Sequence, residues 1–225
     1  DYAPVLDIHT NPHNPVIGDR ALAADAAMVG ALGSAIVRGL QDHGVAACGK
    51  HFPGHGDTSV DSHDELPVVE HPPDRIRRVE CLPFLDAIRA GVAFMMTAHV
   101  LVPALDEDSP ATLSRRIVYG LLREELGFDG VILSDDLEME ALARTHTAPE
   151  AAVRAVAAGC DGVLVCRARV QDRSRDVEAL SAVLEALVHA VEDGRIPYKR
   201  LEDALRRQRR AKERFLVETT RAQPV

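Results

Sequence analysis

Five short runs of continuous apolar character, at residues 2–8, 45–50, 92–97, 131–134 and 161–166, alternate with stretches of helical periodicity. A strand that is apolar at successive positions has no wet face and must be covered on both sides. Helices crossing over between parallel strands supply that cover, so the alternation predicts an α/β fold with a parallel sheet. The helices are expected at 21–43, 74–90, 115–126, 137–144, 147–158, 173–192 and 198–217. In the first, Leu22, Ala26, Val29, Leu32, Ile36, Val37 and Leu40 form the expected inner stripe. Asp74 and Ser114 are placed as N-caps, and Gly44, Gly91, Gly127 and Gly159 as stops. Thr147-Ala148-Pro149-Glu150 has the spacing of a capping box, with Pro tolerated in the first turn.

A chain of 225 residues fits one domain, 1–225, with a large core. A net charge of −9 argues against a nucleic-acid or anionic-membrane surface. No apolar run approaches the ~20 residues of a spanning helix. The basic run Arg206 to Lys212, on an acidic chain, reads as a solvated helix face. Cys48, Cys81, Cys160 and Cys166 lie in apolar surroundings without a C-x-x-C pair, which reads as buried thiols in a reducing compartment. Cys160 and Cys166, at the two ends of one strand, are too far apart to bridge.

The chemistry concentrates after the second strand. Lys50-His51-Phe52-Pro53-Gly54-His55-Gly56-Asp57 continues to Asp61-Ser62-His63-Asp64, and nothing periodic returns until about residue 74. Unstructured loops longer than ~12–15 residues are uncommon in compact domains and are often functional. Asp61 and His63 are two apart, so an extended segment points them the same way. A carboxylate on one imidazole nitrogen fixes the tautomer and raises the basicity of the other, which makes a proton shuttle near neutral pH. A second centre is Asp135-Asp136, at the end of the run Val131-Ile132-Leu133-Ser134. Neighbours on a strand point to opposite faces, so one of the two faces a pocket while the other caps the next helix or braces its partner.

Lys50-His51-Phe52-Pro53-Gly54-His55-Gly56 followed by Asp61-Ser62-His63 resembles the signature of the bacterial β-N-acetylglucosaminidases of glycoside hydrolase family 3. Ala3-Pro4-Val5-Leu6-Asp7, Ile17-Gly18-Asp19-Arg20, Ala98-His99-Val100, Gly127-Phe128-Asp129-Gly130-Val131-Ile132 and Ser134-Asp135-Asp136-Leu137-Glu138-Met139 resemble that family in its order. The resemblance implies a (β/α)8 TIM-type barrel, of which this chain holds the last five β/α units and C-terminal helices. An eight-unit barrel usually needs ~250 residues, and the family's Asp-Gln-Glu-Gly-Gly-Arg segment, from its earlier strands, is not found here. It implies retaining hydrolysis of terminal β-linked N-acetylglucosamine from peptidoglycan fragments, with Asp135 as nucleophile and His63, oriented by Asp61, as acid/base. Arg20, Lys50 and His51 match positions that hydrogen-bond the sugar. Arg20 could instead pair with Asp19 or Asp7; His55 is open between bracing and substrate contact, and His99 between contact and a hydrogen-bonded rim.

No cofactor and no metal is expected. His51, His55 and His63 with Asp57 and Asp61 are suitable zinc-ligand types, but they lack a fixed ligand pattern such as H-E-x-x-H. Two further alternatives are a phosphorylase of the same family and a non-catalytic fragment whose open sheet cannot hold the site. With no Trp and 4% aromatic residues, a small saccharide or muropeptide is the expected partner rather than a long polysaccharide. No nucleic acid, no membrane span and a monomeric state are expected. A cytoplasmic location is expected, with a secreted or lipid-anchored form left open because the chain starts at Asp1 rather than Met.

Overall fold

The computed structural model describes residues 1–61, 66–166 and 173–216. Four parallel strands form one sheet in the order β1-β2-β3-β4: Cys48–Phe52, Phe94–Thr97, Val131–Asp136 and Gly162–Leu164. Sequential parallel neighbours joined by helices make an arc of a (β/α) barrel. The predicted strand at 2–8 contributes only an isolated parallel bridge, Val5 to Lys50. It nonetheless docks beside β1: Cys48 N donates to Ala3 O, Lys50 N to Pro4 O and Leu6 N to Lys50 O. Pro4 has no N–H to give, which is one reason no regular ladder forms there.

The strands are buried by α1 (Ala26–Asp42), α2 (Pro73–Arg75), a π-turn Ile76–Glu80, α3 (Leu82–Arg89) and a π-helix Arg116–Glu125. After β3 come α4 (Glu140–Ala143) and α5 (Ala148–Ala158); α6 (Arg173–Glu192) and α7 (Tyr198–Phe215) follow β4. The principal core joins Leu6, Phe52, Met95 and Ile132 to Phe84, Ile117, Leu122 and Leu142 from the surrounding helices and turns. Phe52 and Phe84 meet edge to face, ring centroids 5.3 Å apart. Among the described residues no helix is long and apolar enough to cross a membrane.

Several boundaries move. Helix α1 begins five residues late, where the Asp25 side chain accepts from Met28 N. Its buried face is Val29, Gly30, Gly33, Ser34 and Val37, while Leu32 is 40% exposed. The predicted stripe holds except at Leu32: Val29 and Val37 are buried and Ala26, Ile36 and Leu40 half-buried, and glycines unforeseen in the sequence complete the contact. A Cβ on Gly30 would lie 2.4 Å from Asp86 Oδ2 of α3, and one on Gly33 2.4 Å from Leu6. Asp74 lies inside the first turn of α2, after Pro72. Ser114 does accept from Ile117 N, and the capping box at Thr147 and Glu150 is complete.

The basic run is also corrected. Arg206 and Arg209 face solvent, but Arg207 and Arg210 grip Asp129 at 3.1 and 2.8 Å, and Gln208 donates to the Asp161 carbonyl. Half of the run docks α7 on the N-terminal ends of the strands. Cys48, Cys81 and Cys160 are buried; Cys166, against expectation, is exposed, and all four are free.

Candidate active site

Both chemical stretches begin on bulges at the C-terminal ends of strands, β1 and β3, that flank β2. On β1, Gly49 pairs with Met95 but Phe52 with Thr97, so three steps oppose two across Lys50 and His51. On β3, Leu133 pairs with Gly162 but Asp136 with Leu164, the same excess across Ser134 and Asp135. A bulge breaks the strict alternation of side chains and re-aims the residues on it, a device common beside active sites. The predicted strand 45–50 therefore runs on through Phe52, and β3 runs on through both aspartates. The Lys50–His51 and Phe52–Pro53 peptides are cis.

The loop after β1 is built around Asp7, fully buried at the end of the N-terminal segment. Asp7 Oδ2 accepts from His51 Nδ1 at 2.7 Å and His51 N at 3.2 Å; Oδ1 accepts from His55 N at 2.6 Å. Burial pushes the Asp7 carboxyl up, but His51 and His55 outweigh it and hold it below its ordinary value. The bond to Asp7 puts a proton on Nδ1 of His51, so in the neutral ring Nε2 carries the lone pair. His55 Nδ1 meets Thr58 Oγ1 at 2.7 Å, and its ring lies 6.2 Å from that of His51, edge to face. Burial lowers the His55 pKa, with Asp7 and Asp135 opposing. Asn14 ties the preceding loop to this one, accepting from Val16 N and Ile17 N while its amide donates to the His55 carbonyl at 2.9 Å. Gly56 is obligatory, because a Cβ there would fall 1.8 Å from the Ile8 carbonyl oxygen.

Asp135 and Asp136 divide their work. Asp136 Oδ1 accepts from Glu138 N at 3.1 Å and Cys166 N at 2.9 Å, and its carbonyl accepts from His99 Nε2 at 2.8 Å. It braces the ends of β3 and β4, as one of the two sequence alternatives requires. Asp135 is half-buried, and one oxygen accepts from Asp136 N. Its charge is felt at His55, His99 and Cys48, and Lys50 acts on Cys48 with the opposite sign. Lys50 and Asp135 lie on matching bulges of β1 and β3, at the C-terminal rim of the sheet.

His99 is 1% exposed, and both ring nitrogens are taken: Nε2 by the Asp136 carbonyl, Nδ1 by Thr112 Oγ1 at 2.8 Å. Burial lowers its pKa, so it is neutral at pH 7. Both ring nitrogens thus serve protein partners, the arrangement of the hydrogen-bonded rim alternative. Arg20 is exposed and donates to the Val16 carbonyl at 3.1 Å; the alternative pair with Asp7 does not form, because Asp7 serves His51 and His55. Asp61 is half-buried. Ser62, His63, Asp64 and Glu65 lie outside the described residues, so the expected Asp61–His63 contact does too. Among the described residues no group of three or more acidic, histidine or cysteine side chains is placed to hold a metal.

Asp7, Asn14, Thr58 and Thr112 escaped assignment from sequence as residues that build the site. Asp7 had a usable signal: a lone carboxylate in the apolar run Val5-Leu6-Asp7-Ile8, next to two stretches rich in chemistry. The other three carry only short hydroxyl or amide side chains in loops, where turn-making is the ordinary role.

Residues 1–211 match the family described as glycosyl hydrolase family 3 N terminal domain. A β-hexosaminidase of Thiobacillus denitrificans is 46% identical over 165 residues, 73% of this chain and 45% of the relative. The β-hexosaminidase A of Pseudoalteromonas piscicida is 36% identical over 219 residues, 92% of this chain and 36% of the relative. Among solved structures, a family 3 β-N-acetylglucosaminidase from Paenibacillus superposes with a TM-score of 0.91 at 48% identity, covering 100% of this chain and 41% of that one. Mycobacterium tuberculosis LpqI superposes with a TM-score of 0.83 at 34% identity, over 94% of this chain and 60% of that one. The chain spans about half or less of the length of the curated relatives it matches.

Proposed function

The chain belongs to glycosyl hydrolase family 3, within its N-terminal domain, and from that premise we propose that it carries the catalytic face of a retaining β-N-acetylhexosaminidase. One observation supports the reading most: a half-buried Asp135 lies on the bulge at the end of β3, while Lys50 and His51, the latter held by Asp7, lie on the matching bulge of β1 with His55 beside them. A carboxylate attacks the anomeric carbon, the glycosidic bond breaks, and an acid protonates the departing oxygen; water then cleaves the glycosyl-enzyme with that acid acting as base. Asp135 is the nucleophile. His63, oriented by Asp61, is the acid/base on sequence grounds. Lys50 and His51 suit hydrogen bonding to sugar hydroxyls: the ammonium donates, and His51 Nε2, with Nδ1 bound to Asp7, accepts. Arg20 belongs to the same sugar-binding set. His55 fits a bracing role better, since its backbone N–H and Nδ1 both serve the loop.

The names of the relatives support an N-acetylhexosaminide as substrate, and peptidoglycan fragments in a reducing compartment are the specific class we assign. The test is mass spectrometry of the protein after reaction with a slow fluorinated N-acetylglucosaminyl donor. A sugar adduct on the Asp135 peptide, missing from Asp135→Ala, is expected. An adduct on another carboxylate, or none with a donor that the parent turns over, overturns the assignment.

A further inference from the structure

The loop after β1 leaves the sheet at Phe52 and runs back along residues 67–71, and each leg is pinned separately. On the outgoing leg, Asn14 Nδ2 donates to the His55 carbonyl and Asn11 Nδ2 to the Thr58 carbonyl, at 2.9 and 3.0 Å. On the returning leg, Leu101 N donates to Pro67 O and Val69 N to Leu101 O, both at 2.8 Å. A cluster of side chains then joins the legs to each other. His71 Nε2 hydrogen-bonds Asp57 Oδ2 and lies 3.9 Å from Glu80 Oε1. Arg75 Nε donates to the same Glu80 oxygen at 3.3 Å.

Glu80 is 7% exposed, and its Oε2 is buried with no hydrogen-bond partner among the described residues. Burying an unsatisfied carboxylate oxygen costs free energy, so core packing does not explain a glutamate here. It sits on the π-turn, beneath both legs: the outgoing leg crosses it at Gly54, where φ is 126° and an added Cβ would lie 3.2 Å from Glu80 Cβ. The returning leg meets it at His71. None of Asp57, His71 and Glu80 has a part in the bond-making steps above.

We propose that Asp57, His71 and Glu80 are positioning residues, a clasp at the neck of the loop that sets where the Asp61-bearing tip lies relative to Asp135. The proposal rests on the roles given above to Asp61 and Asp135. Among the described residues, asparagine side chains pin the outgoing leg and backbone bonds the returning one, and the clasp joins the two legs to each other. Misplacement of a catalytic group by about 1 Å can cost about 100-fold in rate, so a clasp of modest strength has a large kinetic reach.

The experiment compares the intact protein with Asp57→Asn, His71→Gln and Glu80→Gln on two aryl β-N-acetylglucosaminides. One has a dinitrophenyl leaving group, which departs without protonation; the other has a methylphenyl group, which needs an acid. Hydrogen exchange of the amides between 57 and 71 is followed in parallel. The expected result is about a 10–100-fold loss of kcat/KM on the methylphenyl substrate, at most a few-fold loss on the dinitrophenyl one, and faster exchange confined to the loop. Equal losses on both substrates, or loss on neither, overturn the clasp. If the parent hydrolyses neither substrate and is not labelled at Asp135, the functional reading fails; exchange then decides the clasp alone, and unchanged loop protection overturns it.

Discussion

Replacing Asp7 by asparagine tests how the N-terminal segment holds the site. Three donors converge on this carboxylate: Nδ1 and N of His51 and N of His55, at 2.7, 3.2 and 2.6 Å. An amide of the same shape offers one oxygen instead of two. In its better seat the oxygen keeps both His51 donors, and the NH2 faces the His55 N–H, leaving a buried donor unpaired at a cost of about 1–3 kcal/mol. The two remaining bonds also lose their charge assistance, about 1 kcal/mol together. A loss of about 3 kcal/mol is expected in the urea midpoint at pH 7, with at least a 10-fold fall in kcat/KM as the His55 turn shifts. The difference depends on pH. Asp7 titrates below its ordinary value of 3.8 in the folded chain, so its contribution is complete above that value and lost as pH falls through the folded pKa. Parent and Asp7→Asn should therefore converge at acid pH. A variant within about 0.5 kcal/mol of the parent at pH 7 with unchanged kinetics would refute the idea that Asp7 organises the β1 loop.

Three further outcomes follow from the same geometry. His55 and His99 have pKa values below the ordinary 6.5 because they are buried, so their stabilising contribution is complete above 6.5 and declines as pH drops below it. The slope approaches about 1.4 kcal/mol per pH unit for each histidine; a flat urea midpoint between pH 7 and pH 5 would sink this account. Asp161, whose side chain is fully buried, binds Arg123 and Arg200 at 2.6 Å each and accepts from Ile132 N. Asp161→Ala should cost about 3–5 kcal/mol by leaving two buried guanidiniums unpaired, read by urea unfolding, with kcat unchanged at low temperature. Gly56→Ala should cost about 3 kcal/mol or more, because its Cβ would fall 1.8 Å from the Ile8 oxygen; a melting temperature equal to the parent's would contradict that packing.

The apolar runs and glycine stops settled the parallel α/β arrangement, the order of elements and most of their extents, because burial on both faces and φ > 0 leave a mark in every window of sequence. The strand-end position of Asp135 and the capping box at Thr147 were legible for the same local reason. What failed was whatever depends on a neighbour distant in the chain. The close seat of α1 rests on glycines that admit Asp86 and Leu6, which its apolar stripe does not announce. Half of the basic run at 206–212 serves Asp129 and Asp161, which lie far from it in sequence. His99 was open between ligand contact and rim from sequence, and Thr112 and Asp136 engage both its nitrogens. The family signature nominates residues for the chemistry, because it is written in residue type and short spacing. Only the tertiary structure decides which of them face a ligand and which are held by protein. A hydrogen bond is satisfied by whatever group arrives within about 3 Å, and the two bulges and Asp7 that bring those groups together are contacts between strands and segments tens of residues apart.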